Sequence, residues 1–478
     1  MRTQGSMKIK EETAEEPVGA DKAGNCRRPV IDPVIELTPG STARPLAGLS
    51  GKVEGFLVSH RARFGYVHAF MAVVFLALVA IPVFFPFPAD DDTALTNLQL
   101  LARFIVWGLW FPLMFLSVVL FGRLWCGLLC PQGALTEFMS KRGLNRPIPG
   151  WMRWKGLPFA SFVFITVLGQ LVGVRDYSLA ALEVLGGTML LAALTGFIYT
   201  KDRRAWCRHL CPAGPLLGIF SRLGSAGIDK NGGTGTSAAC PTFINTQTKT
   251  ASSNCIACMR CVNPASESTL RLKLRRPGRE IEEIGKREPD IWEVLFLLGA
   301  TGLALGAFYW TESDMYTLYR DFLGNAFIDL GYGSLIGQSG PWWVMVNYPW
   351  AGETFNWLDF ISIATFMLGT MVAVMGALLI LLISSALIPK EKLEYWKRAA
   401  SAGYAYAPVA LVSLVLGLGI MLFEPLGSFG KLLPAALFAA GAIWSVYLAV
   451  KIQGPRPGVL PNMLGIGLVA WLWYSVLF

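Results

Sequence analysis

Residues 99–137 read "QLLARFIVWGLWFPLMFLSVVLFGRLWCGLLCPQGALTE". A helix needs roughly 20 apolar residues to cross a hydrocarbon core, and the first part of this stretch supplies them. The run then stops at two cysteines and a proline, placed where a membrane boundary would fall. A near-copy, "WCRHLCPAGPLLG", occupies residues 206–218, 81 positions further on, and also closes an apolar run.

The rest of the 478 residues agrees with a membrane setting. Hydrophobic residues make up 54% of the chain and charged residues only 15%, with a mean hydropathy of +0.49; a soluble globular domain carries more charge. Nine segments qualify or nearly qualify as spans: 66–87, 99–121, 157–174, 180–199, 291–311, 357–387, 404–423, 432–450 and 460–478. The expected fold class is therefore an all-α polytopic membrane protein of about nine transmembrane helices, with a small ferredoxin-like insertion on the cytoplasmic side. Residues 1–50 mix acids, bases, Pro and Gly without an apolar run or a cleavage site, and read as a disordered cytoplasmic tail with no signal peptide. The remaining divisions are a four-helix membrane unit (51–223), a cytoplasmic cysteine-bearing segment (224–290), a fifth span with an outer loop (291–356) and a C-terminal four-span unit (357–478).

With the N-terminus inside, the inner flanks and loops from Lys52 onward hold 30 Lys and Arg, whereas the outer ones hold Arg175, Arg320 and Lys431. Such asymmetry is the positive-inside pattern, and it accounts for the net charge of +9 without nucleic acid. Both "WCxxLCPxG" stretches then face the cytoplasm, and the C-terminus lies outside.

Eight of the nine cysteines fall on that inner side: Cys126 with Cys130, Cys207 with Cys211, and Cys240 with Cys255, Cys258 and Cys261. The last group, "CPTFINTQTKTASSNCIACMRC", combines C-x2-C-x2-C with a separate Cys-Pro, a ligand set for one [4Fe–4S] cubane. Ala265 stands where the motif's own fourth cysteine would be, so this half-motif completes one cluster and not two. Four thiolates also suit zinc, but zinc sites usually pair two C-x2-C knuckles, and disulfides are disfavoured in the reducing cytosol. The repeated pairs could meet where the second and fourth spans emerge and build a second four-thiolate site; structural cysteines at helix ends are the alternative. Trp125 and Trp206 read as interfacial anchors, Gly133 and Gly214 as turn residues that let backbone approach the site. Cys26, in the tail, is left over.

These residues resemble the polyferredoxin membrane proteins of the NapH and NosR type, over about residues 60–290. The resemblance implies an electron-transfer subunit linked to respiratory systems, often between the quinol pool and a reductase, with Cys126, Cys130, Cys207 and Cys211 as cysteine sites. Members usually carry two full C-x2-C-x2-C-x3-C-P motifs, whereas here only Cys240, Cys255, Cys258 and Cys261 remain; the flavin-bearing outer domain of the NosR type has no counterpart. A related group of copper-handling iron–sulfur proteins shares the general plan.

The expected function is thus a bacterial inner-membrane electron-transfer protein with two [4Fe–4S] clusters, exchanging electrons with a quinone or a respiratory redox partner. The alternative is an assembly or metal-reductase factor for a respiratory metalloenzyme. His60, His68 and His209 lie at or outside the inner boundary, so a haem pair at membrane depth is not expected. Charges within spans (Arg103, Glu183, Glu293, Asp359) sit at their ends, which disfavours an ion-coupled transporter. Glu183, Arg103, Arg175 and Asp176 are candidates to line an outer quinone site. The tryptophan-rich stretch "PWWVMVNYPW" (341–350) reads as interfacial.

Overall fold

The computed structural model describes residues 44–230, 240–262, 270–388, 394–419, 422–423 and 427–477; Cys26 and the first 43 residues of the expected tail lie outside them. Helix α1 (Arg44–His60) occupies the last part of that tail and continues through a 3-10 turn at Arg61–Arg63 into α2 (Phe64–Ala80). Together Gly48–Phe84 make the first apolar span. The tail therefore ends earlier than composition suggested. The reason is tertiary: Glu54 of α1 is buried, accepting from Leu272 N (2.7 Å) and pairing with Arg271 (2.6 Å).

Span α3 (Leu98–Phe121) starts at Asn97, whose side chain accepts from Gln99 N. It ends at Gly122, in the left-handed region at φ 59°. A Cβ at Gly122 would stand 2.5 Å from Ala226 O, so glycine serves both the backbone turn and the close approach of the next layer. After the first cysteine pair comes α4 (Pro131–Ser140), then the short apolar α5 (Leu157–Val172), closed by Gly173 at φ 69°, and α6 (Ser178–Ile198). The short helices α7 (Ala205–His209) and α8 (Gly214–Ser221) flank the second cysteine pair. Strands β1 (Ala226–Lys230) and β2 (Leu270–Leu274) pair antiparallel, Ala226 opposite Leu274. They carry the 240–262 segment on a small core of Ile228, Met259, Val262 and Leu272, walled by Leu57 and Val58 of α1.

Helix α9 (Ile291–Glu312) follows, capped by Asp290. The segment after α9 contains α10 (Asp314–Asp329), with Met315, Leu318 and Phe322 exposed, and a β3–β4 hairpin (Asn347–Tyr348, Glu353–Thr354). The exposed apolar residues of α10 fit an interfacial segment. Spans α11 (Trp357–Leu387), α12 (Tyr395–Gly419), α13 (Leu432–Gln453) and α14 (Val459–Leu477) complete the chain. In all, eight described helices are long and apolar enough to cross a membrane, and α5 is a shorter ninth.

Close backbone contact holds α9 to α11. Cβ positions built at Gly302 and Gly306 lie 3.0 Å from the Cα atoms of Met371 and Met367, the small-residue packing that substitutes for a hydrophobic driving force within lipid. Helix α12 is the most enclosed span, with Ala407, Val409 and Tyr404 wholly buried. Its Gly419 meets Pro112 of α3. The C-terminal four spans thus share a core with the cysteine-bearing helices.

Most in-span charges are paired: Arg103 with Asp176 (2.7 Å), Arg320 with Asp359 (2.6 Å) and Arg222 with Glu293 (2.9 Å). Glu183 differs, its Oε2 being buried with no hydrogen-bond partner among the described residues.

Candidate functional site

Eight cysteines are free among the described residues; Cys126, Cys130, Cys207 and Cys211 line one cavity, and Cys240, Cys255, Cys258 and Cys261 belong to the neighbouring 240–262 segment. Cys211 feels the charge of Cys207, Cys130 and Cys126, and Cys261 that of Cys255, Cys258 and Cys240. Burial, reinforced by neighbouring sulfurs, pushes Cys207 up to about 12 and Cys130 to about 11. Cys261 and Cys258 rise to about 12 and about 11 for the same first reason. Thiols raised in this way ionise when a cationic centre binds them. Among the described residues no three His, Cys, Asp or Glu converge as tightly as a single metal ion requires.

Local backbone explains each group. Cys130 caps α4 and its Sγ accepts from Gly133 N (3.4 Å). Gly133 and Gly214 stand at matching places: Cβ atoms there would lie 3.3 Å from Cys126 O and 3.2 Å from Cys207 O, each 3.6 Å from a sulfur. The N-termini of α4 and α8 thus meet the thiols, favouring negative charge. In the other group Ala257 and Met259 take left-handed φ of 51° and 59° between the cysteines. Left-handed residues within such a run turn successive N–H groups into a concavity for an anionic cofactor, a feature of iron–sulfur loops. The two groups abut, since a Cβ at Gly127 would collide with Ile256 O and come within 3.3 Å of Cys258 N.

Two buried arginines complete the picture, each three residues before the first cysteine of a pair. Arg204 donates to Glu137 Oε2 and to Cys126 O, both at 2.7 Å, and its backbone N–H donates to Pro241 O (2.8 Å). It thereby touches both groups. Glu137 also pairs with Arg260. Arg123 donates to Ser253 O (2.5 Å), but no carboxylate pairs with it among the described residues and its Nε is unpartnered. Burial lowers its pKa, but the neighbouring Cys126, Cys211 and Cys207 raise it by more. The position matching Glu137 in the second repeat is Gly218, where a Cβ would stand 2.5 Å from Ser253 O. Arg123 therefore faces the thiols as an uncompensated cation, which fits a net-anionic cluster. The shared "RxWCxxLCPxG" pattern, with Arg123 and Arg204 at equivalent places, was the signal in the sequence.

Trp125 and Trp206 are not interfacial anchors. Both are buried, 9% and 3% exposed; Trp125 meets Trp110 edge-on and Trp206 Nε1 donates to Gln132 Oε1 (3.2 Å). They wall an intramembrane cavity of about 280 Å³. One end is formed by Cys126, Cys130, Cys207 and Cys211, the other reaches Gln170 and Arg175. Between them the lining is apolar and aromatic, including Trp107, Phe111, Phe162, Phe308 and Leu414. The walls of this cavity include three π-helical stretches, Phe104–Trp110, Trp125–Leu129 and Leu182–Gly186, a distortion frequent at functional sites. His68 Nε2 is 2.8 Å from Gly127 O. His209 lies edge-on to Phe243, and burial with Arg208 lowers its pKa to about 4.

The family model described as "4Fe-4S binding domain" matches residues 104–153 and 184–231, one copy for each cysteine pair. A second, described as "Yip1 domain", matches residues 273–452. The chain is thus a multi-pass membrane protein with two copies of an iron–sulfur-binding unit. It is 28% identical over 246 residues, 44% of this chain and 68% of the relative, to "Putative electron transport protein YccM" of Escherichia coli (strain K12). It is also 28% identical over 169 residues, 31% of this chain and 63% of the relative, to an uncharacterized protein of Methanocaldococcus jannaschii. No solved structure matches. These similarities support iron–sulfur electron transfer as the activity.

Proposed function

We propose that the protein holds two [4Fe–4S] clusters on the cytoplasmic face of a bacterial inner membrane and links quinone in the bilayer to a redox partner. Cys126, Cys130, Cys207 and Cys211 would hold one cluster, Cys240, Cys255, Cys258 and Cys261 the other. The clusters supply one-electron redox chemistry; the chain supplies charge, enclosure and access. Arg123 and Arg204 offset cluster charge, the 240–262 segment covers the membrane-side group, and Gly127 allows the two groups to abut. The NapH/NosR-type plan is the subtype we infer, with one ferredoxin-like group in place of two.

The observation that carries the quinone part is the cavity. A flat ring with a long apolar tail suits an aromatic-walled intramembrane chamber with few polar groups, and this chamber ends on four thiols. Gln132 and Thr188, bonded to each other at 2.8 Å, are polar groups at that end. The excess of Lys and Arg in the loops beside the thiols supports a cytoplasmic position for them.

Iron and acid-labile sulfide per chain, with low-temperature EPR before and after dithionite, test the cluster assignment in wild type and in Cys126→Ser and Cys207→Ser. About eight irons, falling toward four in the variants, is the result expected for two cubanes. Four irons unaffected by those changes would leave the repeat a structural feature; zinc without iron would refute the reading. Quenching of tryptophan fluorescence by a short-chain quinone, tested with and without iron, reports occupation of the cavity.

A further inference from the structure

The two ends of the cavity differ in kind. Its inner end is sealed by Trp125, Trp206, Pro131 and Pro212, and behind it the 240–262 segment lies against Gly127. Its far end shares Gly169, Gln170, Val174, Arg175, Ala307 and Phe308 with a second cavity of about 370 Å³. That second chamber is bordered by polar groups: Arg103, Asp176, Tyr177, Glu353 and Thr311. Tyr177 donates to Glu353 (2.5 Å), Arg103 pairs with Asp176, and Trp310 Nε1 donates to Gln170 Oε1 (3.0 Å). Arg175 lies where both chambers meet, with no hydrogen bond or ion pair among the described residues. A half-buried guanidinium left unpaired at the neck of an apolar chamber organises water or polar oxygens.

We propose that protons and electrons leave a bound hydroquinone at opposite ends: electrons toward the thiols, protons through the Gln170–Arg175 neck into the Tyr177–Glu353 vestibule. This rests on the quinone reading above. Both ring O–H bonds break and the ring becomes the dione; the two electrons would pass one at a time through the iron–sulfur clusters that the thiols would hold to an oxidised one-electron redox partner, and the two protons go to the vestibule. The opposite reaction would draw protons from the vestibule. Oxidation on this path separates charge across the membrane. At the thiol end the lining is mostly apolar; Gln132 is bonded to both Thr188 and Trp206, and Arg123, held to Ser253 O, puts a fixed positive charge there that opposes the exit of protons.

The test uses full-length, cluster-loaded protein in vesicles with a pH dye in the lumen and ferricyanide outside. Ferricyanide does not cross the bilayer, so it takes electrons only from molecules whose thiol face points outward; protein-free vesicles correct for direct oxidation. A short-chain hydroquinone should acidify the lumen by two protons per molecule oxidised, with valinomycin and potassium present and an uncoupler abolishing the signal. Protons appearing on the ferricyanide side, with turnover intact, would overturn this inference while leaving the quinone reading standing. No turnover and no tryptophan quenching would refute the quinone reading and this one with it. Arg175→Leu should slow lumen acidification at least tenfold with unchanged cluster EPR spectra, and Arg175→Lys should restore it. Unchanged acidification in Arg175→Leu would overturn the role of the neck.

Discussion

Replacing Arg123 by Gln removes a buried positive charge that faces cysteine sulfurs and pairs with no carboxylate among the described residues. A unit charge at 4 Å in an effective dielectric of ~20 contributes about 4 kcal/mol. A cubane spreads its added electron over several ångströms, so about half of that, ~2 kcal/mol, is a reasonable share. One-electron couples shift by 59 mV per tenfold in equilibrium constant, ~1.4 kcal/mol, giving a fall of about 90 mV in midpoint potential. The direction is unambiguous, because loss of a cation disfavours the more negative, reduced state. EPR-monitored potentiometric titration of the purified protein resolves the two signals. Arg123→Gln should lower the one that is absent in Cys126→Ser and leave the other in place. Arg204→Gln should move both, since Arg204 acts on Cys207 and on Cys258. A shift below about 20 mV, or equal movement of both signals in Arg123→Gln, would refute the assignment of Arg123 as the charge facing a single group.

Three further outcomes follow from the same geometry. Glu137→Gln leaves Arg204 without its carboxylate in a buried site, a loss of about 3–5 kcal/mol to be read by thermal denaturation. In wild type burial raises the Glu137 pKa, but Arg204 and Arg260 outweigh it and hold it below the ordinary 4.5; its stabilisation is present above that pH and lost as pH falls through the lowered value. Gly127→Ala forces backbone apart at Ile256 and should cost about 1–3 kcal/mol, visible as a lower melting temperature. In iron-free protein Cys207, raised from 9.0 to about 12, should react with maleimide at pH 8 about a thousandfold more slowly than an ordinary cysteine. The rate should climb tenfold per pH unit to about pH 11, and a plateau above pH 9 would contradict the crowded thiol group.

Spans and cysteine groups were legible because each is local: roughly 20 apolar residues announce a crossing, and C-x2-C-x2-C or C-x3-C-P announces thiolates. What escaped depends on distant segments meeting. Trp125 and Trp206 sit at a boundary by sequence, which favours an interfacial reading, yet Trp110 of α3 packs on Trp125 and the Gln132 amide of α4 bonds Trp206. Span 404–423 belongs to a longer helix that begins at Tyr395, where Tyr404 donates to Glu293 (2.6 Å) and lies under Arg222. The cavity needs five or more helices to exist, and no single stretch encodes it. Arg123 and Arg204 lay within reach of a closer reading of the repeat.

A four-thiol group assembled two and two from the copies of one repeat has the composition of a seam between identical subunits. Fusion into one chain frees the copies to differ. At the place where one copy keeps Glu137 against Arg204, the other has Gly218, and the backbone of Ser253 occupies the volume a carboxylate would need. A symmetric pair could not make that exchange without admitting a cover segment on both sides. Duplication therefore gives this group a covered flank and a free flank, and with them a direction of approach for whatever meets it.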